Sequence, residues 1–181
     1  MAQITTKSGD RGVTQLNPDR IASKCHPVIG IMGDIDELSC VLGLCGDKYD
    51  NIQTFLSEIM GYLYYRNADV NRINAQIAEL EEFITTHNNS IPTWFVNPRG
   101  PVSLARAVCR RVERRVVCVA DADRALPESE RYMNFDSIMR YLNRLSDYFF
   151  VRSFERMVTE PELFKDELAA NDEPKLFSAF G

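Results

Sequence analysis

Histidine is scarce in this chain: His26 and His87 are the only two in 181 residues, and neither lies near a second histidine or a cysteine pair. A transition-metal centre built from protein ligands is therefore not expected, and any metal should arrive with a substrate. The five cysteines, Cys25, Cys40, Cys45, Cys109 and Cys118, are odd in number and form no CxxC pair, so they read as reduced small hydrophobes. No apolar run approaches the roughly 20 residues that cross a bilayer. The opening MAQITTKSGD lacks the apolar core of a secretory signal, so a cytoplasmic protein without a membrane partner is expected. Positive charge is also in deficit, with 21 Lys and Arg against 26 Asp and Glu and a formal net charge of −5. That balance argues against a general nucleic-acid binder, whose affinity for a phosphate backbone needs cations spread along a face.

What positive charge there is gathers in one place. Between Leu104 and Asp121, five arginines (Arg106, Arg110, Arg111, Arg114, Arg115) fall within ten residues. Leu104, Ala105, Val108, Cys109, Val112, Val116 and Val119 recur there at the spacing of a helix with one buried face. Arg106, Arg110 and either Glu113 or Arg114 share a stripe one turn apart, so at least two guanidinium forks project the same way. The run fits an anion site. On its own, however, such a run more commonly makes a solvated face, or one paired with acidic helices of the same chain.

A chain of this length, 45% hydrophobic, can bury one sizeable core, which predicts a single domain over residues 1–181. Residues 5–14, TTKSGDRGVT, carry hydroxyls, two glycines and Lys7, Asp10 and Arg11 without apolar periodicity. This is the composition of a loop whose N–H groups can wrap an anion, although the Walker pattern is missing. Asn17-Pro18-Asp19 predicts a turn, and Arg20 and Lys24 add two cations. Five helices follow, over residues 27–45, 51–69, 71–87, 104–121 and 128–158, with connections short enough for an up-and-down bundle and no strand run long enough to demand a sheet. Asp34, Asp36 and Glu37 lie on or beside the first, and an inward-facing acid there needs an arginine. The tract Asn88–Pro101 reads as a connection, unusually apolar at Trp94, Phe95 and Val96. Arg140, Asn143, Arg144 and Asp147 form a polar ridge on the fifth helix, and the acidic segment 159–181 reads as a mobile tail.

TTKSGDRGVT, Lys24, GDIDELSCVLG at 33–43, WFVNPRG at 94–100, ARAVCRRVER at 105–114 and YLNRLSDYFF at 141–150 together resemble the ordered motifs of the trimeric, five-helix-bundle ATP:cob(I)alamin adenosyltransferases. The resemblance covers about residues 4–157. It implies an all-α bundle, related in shape to the ferritin-like folds, with an N-terminal ligand-binding loop over residues 1–26 and a bundle over 27–158. It implies that Thr6, Lys7, Ser8, Gly9, Asp10, Gly12, Thr14 and Lys24 wrap the triphosphate of ATP with its Mg2+, and that Arg110, Glu113 and Asn143 complete the nucleotide pocket from an adjacent subunit of a homotrimer. Asp36 and Arg106 would pair between subunits and shape the corrinoid site, with Phe95 against the lower face of the corrin ring. The implied reaction moves the 5′-deoxyadenosyl group of ATP to cob(I)alamin, with a reductase or a B12-dependent enzyme as partner. Ser39, Pro98-Arg99-Gly100 and YLYYR at 62–66 depart from the family pattern, on the corrinoid side. The alternative they leave is a nucleotide-binding or corrinoid-carrying paralogue without catalysis.

Overall fold

The computed structural model describes residues 7, 9–87 and 100–154. A short antiparallel hairpin, β1 (Val13–Asn17) and β2 (Arg20–Ser23), precedes five helices: α1 (Pro27–Gly43), α2 (Asp50–Tyr65), α3 (Val70–His87), α4 (Gly100–Arg124) and α5 (Asp136–Ser153). α4 packs between α1 and α5; α1 also contacts α2, and α5 also contacts α3. The core is continuous, running from Leu16 of the hairpin through Ile31, Ile35 and Leu38 of α1 to Cys109, Val112 and Val116 of α4 and Tyr141, Leu145 and Phe149 of α5. These are the positions at three- and four-residue spacing that the sequence marks as one face of each helix.

The hairpin corrects the expectation of no sheet. It forms because Asn17 Oδ1 accepts from the Asp19 N–H at 3.0 Å, tightening the Asn-Pro-Asp turn, while Val13 pairs with Ser23 and Thr14 with Ala22. Thr14 is thus a strand residue, not a loop residue. Leu16, fully buried, pins the ribbon to the bundle.

The fifth helix starts eight residues later than its periodicity suggests, since Glu128–Glu130 is a turn of 3-10 helix and α5 opens at Asp136. The segment between is held extended by tertiary bonds. The Tyr132 N–H donates to buried Asp123 at 2.6 Å, and the Tyr132 hydroxyl donates to the Leu63 carbonyl at 2.8 Å. Arg66, in the left-handed region at φ 57°, ends α2 four residues earlier than expected and donates to the Arg131 and Tyr132 carbonyls, both at 2.9 Å. At its N-terminus α4 begins at Gly100, inside the tract read as a connection. His26 caps α1: its Nδ1 accepts from the Val28 N–H at 3.3 Å, with Pro27 in the first turn.

Two ion pairs fix α1 against α4, Arg115 with Asp34 and Arg111 with Glu37. Asp34, the acid of α1 that is largely buried, thus finds an arginine, and among the described residues three of the five clustered arginines have no ion pair.

Candidate functional site

The N-terminal loop is built from backbone hydrogen bonds. The Asp10 N–H donates to the Lys7 carbonyl at 3.3 Å, the Gly12 N–H to the Gly9 carbonyl at 3.1 Å, and the Lys24 N–H to the Gly12 carbonyl at 2.9 Å. The last bond ties the residue after β2 to the loop before β1, so the cations at either end of the hairpin are brought together. Gly12 sits at φ 74°, where a side chain would be strained. Lys7 sits at φ 58°, an uncommon conformation for a residue with a Cβ and one that recurs where a loop is shaped around a ligand. Gly9 is needed for space: a Cβ there would stand 2.9 Å from Lys24 Nζ and 3.2 Å from Lys24 Cε. The lysine ammonium therefore lies across the turn formed by residues 9–12. Lys7, Asp10 and Lys24 are exposed and Thr14 is half-buried. Thr6, Ser8 and Phe95 lie outside the described residues.

The second group occupies the α4–α5 seam. Asn143 Nδ2 donates to Glu113 Oε1 at 3.0 Å, and Arg144 Nη1 donates to Asn143 Oδ1 at 2.6 Å. Beneath them Cys109 Sγ donates to the Leu142 carbonyl at 3.3 Å; burial pushes this thiol far above its ordinary range, so it is a packing group and not a nucleophile. Arg110 is exposed and has no ion pair among the described residues. Arg106, half-buried one turn earlier, lays its guanidinium over the Phe150 ring with Cζ 4.9 Å from the centroid. Asp36 is exposed on α1.

Among the described residues, no bond joins these two groups within one chain. The hairpin contacts α2, and Tyr132 Oη, beyond the end of α4, lies 3.5 Å from the Leu16 carbonyl oxygen. Arg110 stands fourteen residues before Arg124, the last residue of α4, which at helical rise is about 20 Å away. Among the described residues no hydrogen bond or ion pair joins the loop to Arg110, Glu113 or Asn143, nor Asp36 to Arg106. A cleft of about 540 Å³ lies at the α4–α5 connection, between Asp123, Arg124, Glu128, Arg131 and Phe135, and none of the expected site residues lines it. No cluster of metal-ligating side chains occurs among the described residues.

Two groups escaped the sequence reading. Arg144, on the polar ridge beside Asn143, bonds to it directly, and Glu81 of α3, which the sequence does not single out, accepts from Arg144 Nε at 2.7 Å. Adjacency to Asn143 was a usable signal for the first. Nothing local signals the second, 63 residues away in sequence.

The profile of the family described as Cobalamin adenosyltransferase matches residues 4–155. A cobalamin adenosyltransferase from Cupriavidus metallidurans is 30% identical over 167 residues, spanning 83% of this chain and 86% of that protein. The corrinoid adenosyltransferase MMAB from Bos taurus is 29% identical, spanning 82% of this chain and 68% of that one. A variant PduO-type ATP:corrinoid adenosyltransferase from Lactobacillus reuteri, solved in complex with cobalamin and ATP, superposes with a TM-score of 0.63 at 26% identity, covering 87% of this chain and 96% of its own. With the profile matched from the N-terminal loop to the end of α5, the chain belongs to the cobalamin adenosyltransferase family.

Proposed function

We propose that this protein transfers the 5′-deoxyadenosyl group of ATP to cob(I)alamin, releasing triphosphate. The observation that carries this reading, beside membership of the family, is the turn of residues 9–12: a glycine without which Lys24 could not lie where it does, closed by a backbone bond from Lys24 itself. A multiply charged anion is what such a cradle suits, and an exposed cation so confined is otherwise unexplained.

The chemistry asks little of the protein in the way of a nucleophile. Cobalt(I) of the corrinoid substrate attacks the ribose C5′; the cobalt–carbon bond forms as the C5′–oxygen bond breaks, and triphosphate leaves with the electron pair. Positioning two substrates and stabilising the departing charge suffice. Lys7 and Lys24 hold the triphosphate, with Mg2+ carried by the nucleotide, and the N–H groups of Asp10, Gly12 and Lys24 hold the loop's shape. Arg110, Glu113 and Asn143 complete the pocket from a neighbouring subunit of a homotrimer, in keeping with the absence of any bond between them and the loop among the described residues of one chain. Asp36 and Arg106 pair across that interface at the corrinoid site. Phe95 serves by being apolar against the lower face of the corrin, denying cobalt(II) an axial ligand and easing its reduction. The protein works in the cytoplasm, with a reductase as partner.

Formation of adenosylcobalamin from ATP and cob(I)alamin, followed as a spectral change, tests the reaction. ATP binding by calorimetry without turnover would instead indicate a non-catalytic nucleotide carrier.

A further inference from the structure

Four side chains on three helices form one unbroken line of hydrogen bonds. Glu113 Oε1 on α4 accepts from Asn143 Nδ2 on α5 at 3.0 Å; Asn143 Oδ1 accepts from Arg144 Nη1 at 2.6 Å; Arg144 Nε donates to Glu81 Oε1 on α3 at 2.7 Å. Arg144 Nη1 also lies 3.8 Å from Asp147 Oδ2, one turn along α5. The line reads in only one direction. Arginine has donors and no acceptor, so it must face the amide oxygen of Asn143, and a carboxylate has acceptors and no donor, so it must face the amide nitrogen. Reversing the amide would set N–H against guanidinium and oxygen against carboxylate at once. Asn143 is thereby held in one of its two orientations, with its second N–H left for a ligand.

We propose that Arg144 and Glu81 are positioning residues for the nucleotide pocket, acting through Asn143; this rests on the reading above that Asn143 and Glu113 contact ATP. Stability is a poor explanation for the Glu81–Arg144 pair, since the two side chains are 50% and 41% exposed and such pairs contribute little to folding. What the pair provides is geometry. The guanidinium uses Nε for Glu81 and Nη1 for Asn143, so anchoring one edge on α3 favours the orientation in which the other meets the amide. The sequence places Arg144 next to Asn143; only the packing of α3 on α5 places Glu81 behind it.

The test is the KM for ATP, measured by adenosylation of chemically prepared cob(I)alamin. Asn143→Ala raises it, and Arg144→Ala raises it about fivefold with kcat little changed, because a binding contact shared by ground and transition states is loosened. The decisive variant is the double mutant, which should be no worse than Asn143→Ala alone, as expected of residues that act in series. Arg144→Lys, which keeps the charge but not the fork, should not rescue. Glu81→Ala, an exposed change on α3 that leaves the bundle folded, should raise KM in the same direction and add nothing to Arg144→Ala. Effects of Asn143 and Arg144 that multiply, a wild-type KM in Arg144→Lys, or an unchanged KM in Asn143→Ala would each overturn the inference while leaving an active enzyme. A wild-type chain that forms no adenosylcobalamin defeats the proposed function, and this inference with it.

Discussion

Arg115 reaches Asp34 by crossing Gly30. The two charged atoms lie 2.7 Å apart across the α1–α4 seam, and a Cβ at Gly30 would stand 2.5 Å from Arg115 Nη1. Asp34 Oδ2 is buried and has no hydrogen bond among the described residues, so what holds the pair is charge more than directed bonding. The neighbouring Arg111–Glu37 pair is more exposed, and its guanidinium draws the Glu37 carboxyl below the usual range. With these two pairs spanning the seam, Asp36 of α1 and Arg106 and Arg110 of α4 are left for contacts elsewhere.

Asp34→Asn keeps the shape of the side chain and removes its charge. It should destabilise the fold by about 1 kcal/mol, because the charge that holds Arg115 across the seam from the largely buried Asp34 is lost. Glu37→Gln, at a carboxylate about half exposed to solvent, should shift the urea midpoint less. Equal midpoints for the two variants would contradict the ranking.

His26 gives the fold a pH dependence. Its Nδ1 accepts from the Val28 N–H as the cap of α1, and a protonated imidazole cannot accept there. Burial, then the charge of Arg20, hold its pKa below the ordinary value of 6.5. The folded state therefore binds this proton less readily than the unfolded chain does. The associated stability is present above pH 6.5 and is lost as pH falls through the lower folded value. Replacing His26 with Asn, a cap that does not titrate, should flatten the denaturation midpoint between about pH 5 and 7. An unchanged slope in His26→Asn would assign the pH dependence elsewhere.

Three substitutions probe the phosphate cradle. Lys24→Ala and Arg110→Ala should each weaken ATP binding by about tenfold or more, since a charge-assisted bond to phosphate contributes roughly 1.5–3 kcal/mol. Gly9→Ala should act like Lys24→Ala, because the new methyl displaces the flexible end of the lysine and leaves the fold intact. Calorimetric titration with ATP reads all three. Wild-type affinity in folded Gly9→Ala would show that the position of Lys24 across the turn is immaterial.

Assembly is tested by charge exchange. If Asp36 and Arg106 meet between subunits, Asp36→Arg should shift a trimer toward monomers in sedimentation and reduce adenosylation, and adding Arg106→Asp should recover part of both. A fully active monomer at micromolar concentration would contradict a site shared between chains.

Much of this was legible in sequence because helices announce themselves through burial. The stripes Val28–Ile31–Ile35–Leu38 and Val108–Val112–Val116 mark the buried faces of α1 and α4 without ambiguity. The hairpin was not legible, since Leu16 is its only buried apolar strand residue and its ladder is made by backbone, which leaves no side-chain alternation to read. The start of α5 was misread because Met133 and Phe135 fit helical spacing, whereas their placement is dictated by Asp123 holding the Tyr132 N–H, a bond between residues nine apart. The cluster of cations and glycines around residues 7–24 marked the turn of residues 9–12 that Lys24 closes. That Arg111 and Arg115 seal α1 to α4, while Arg106 and Arg110 do not, depends on which side of α4 packs against α1, and a run of arginines carries no such information.

The central claim is the transfer itself. Purified protein mixed with ATP, Mg2+ and chemically reduced cob(I)alamin should convert the corrinoid to adenosylcobalamin, seen as its absorbance spectrum and its loss on exposure to light, with one triphosphate released per corrinoid and the rate lowered in Lys24→Ala. Tight ATP binding by the same preparation with no change in the corrinoid spectrum would contradict the account.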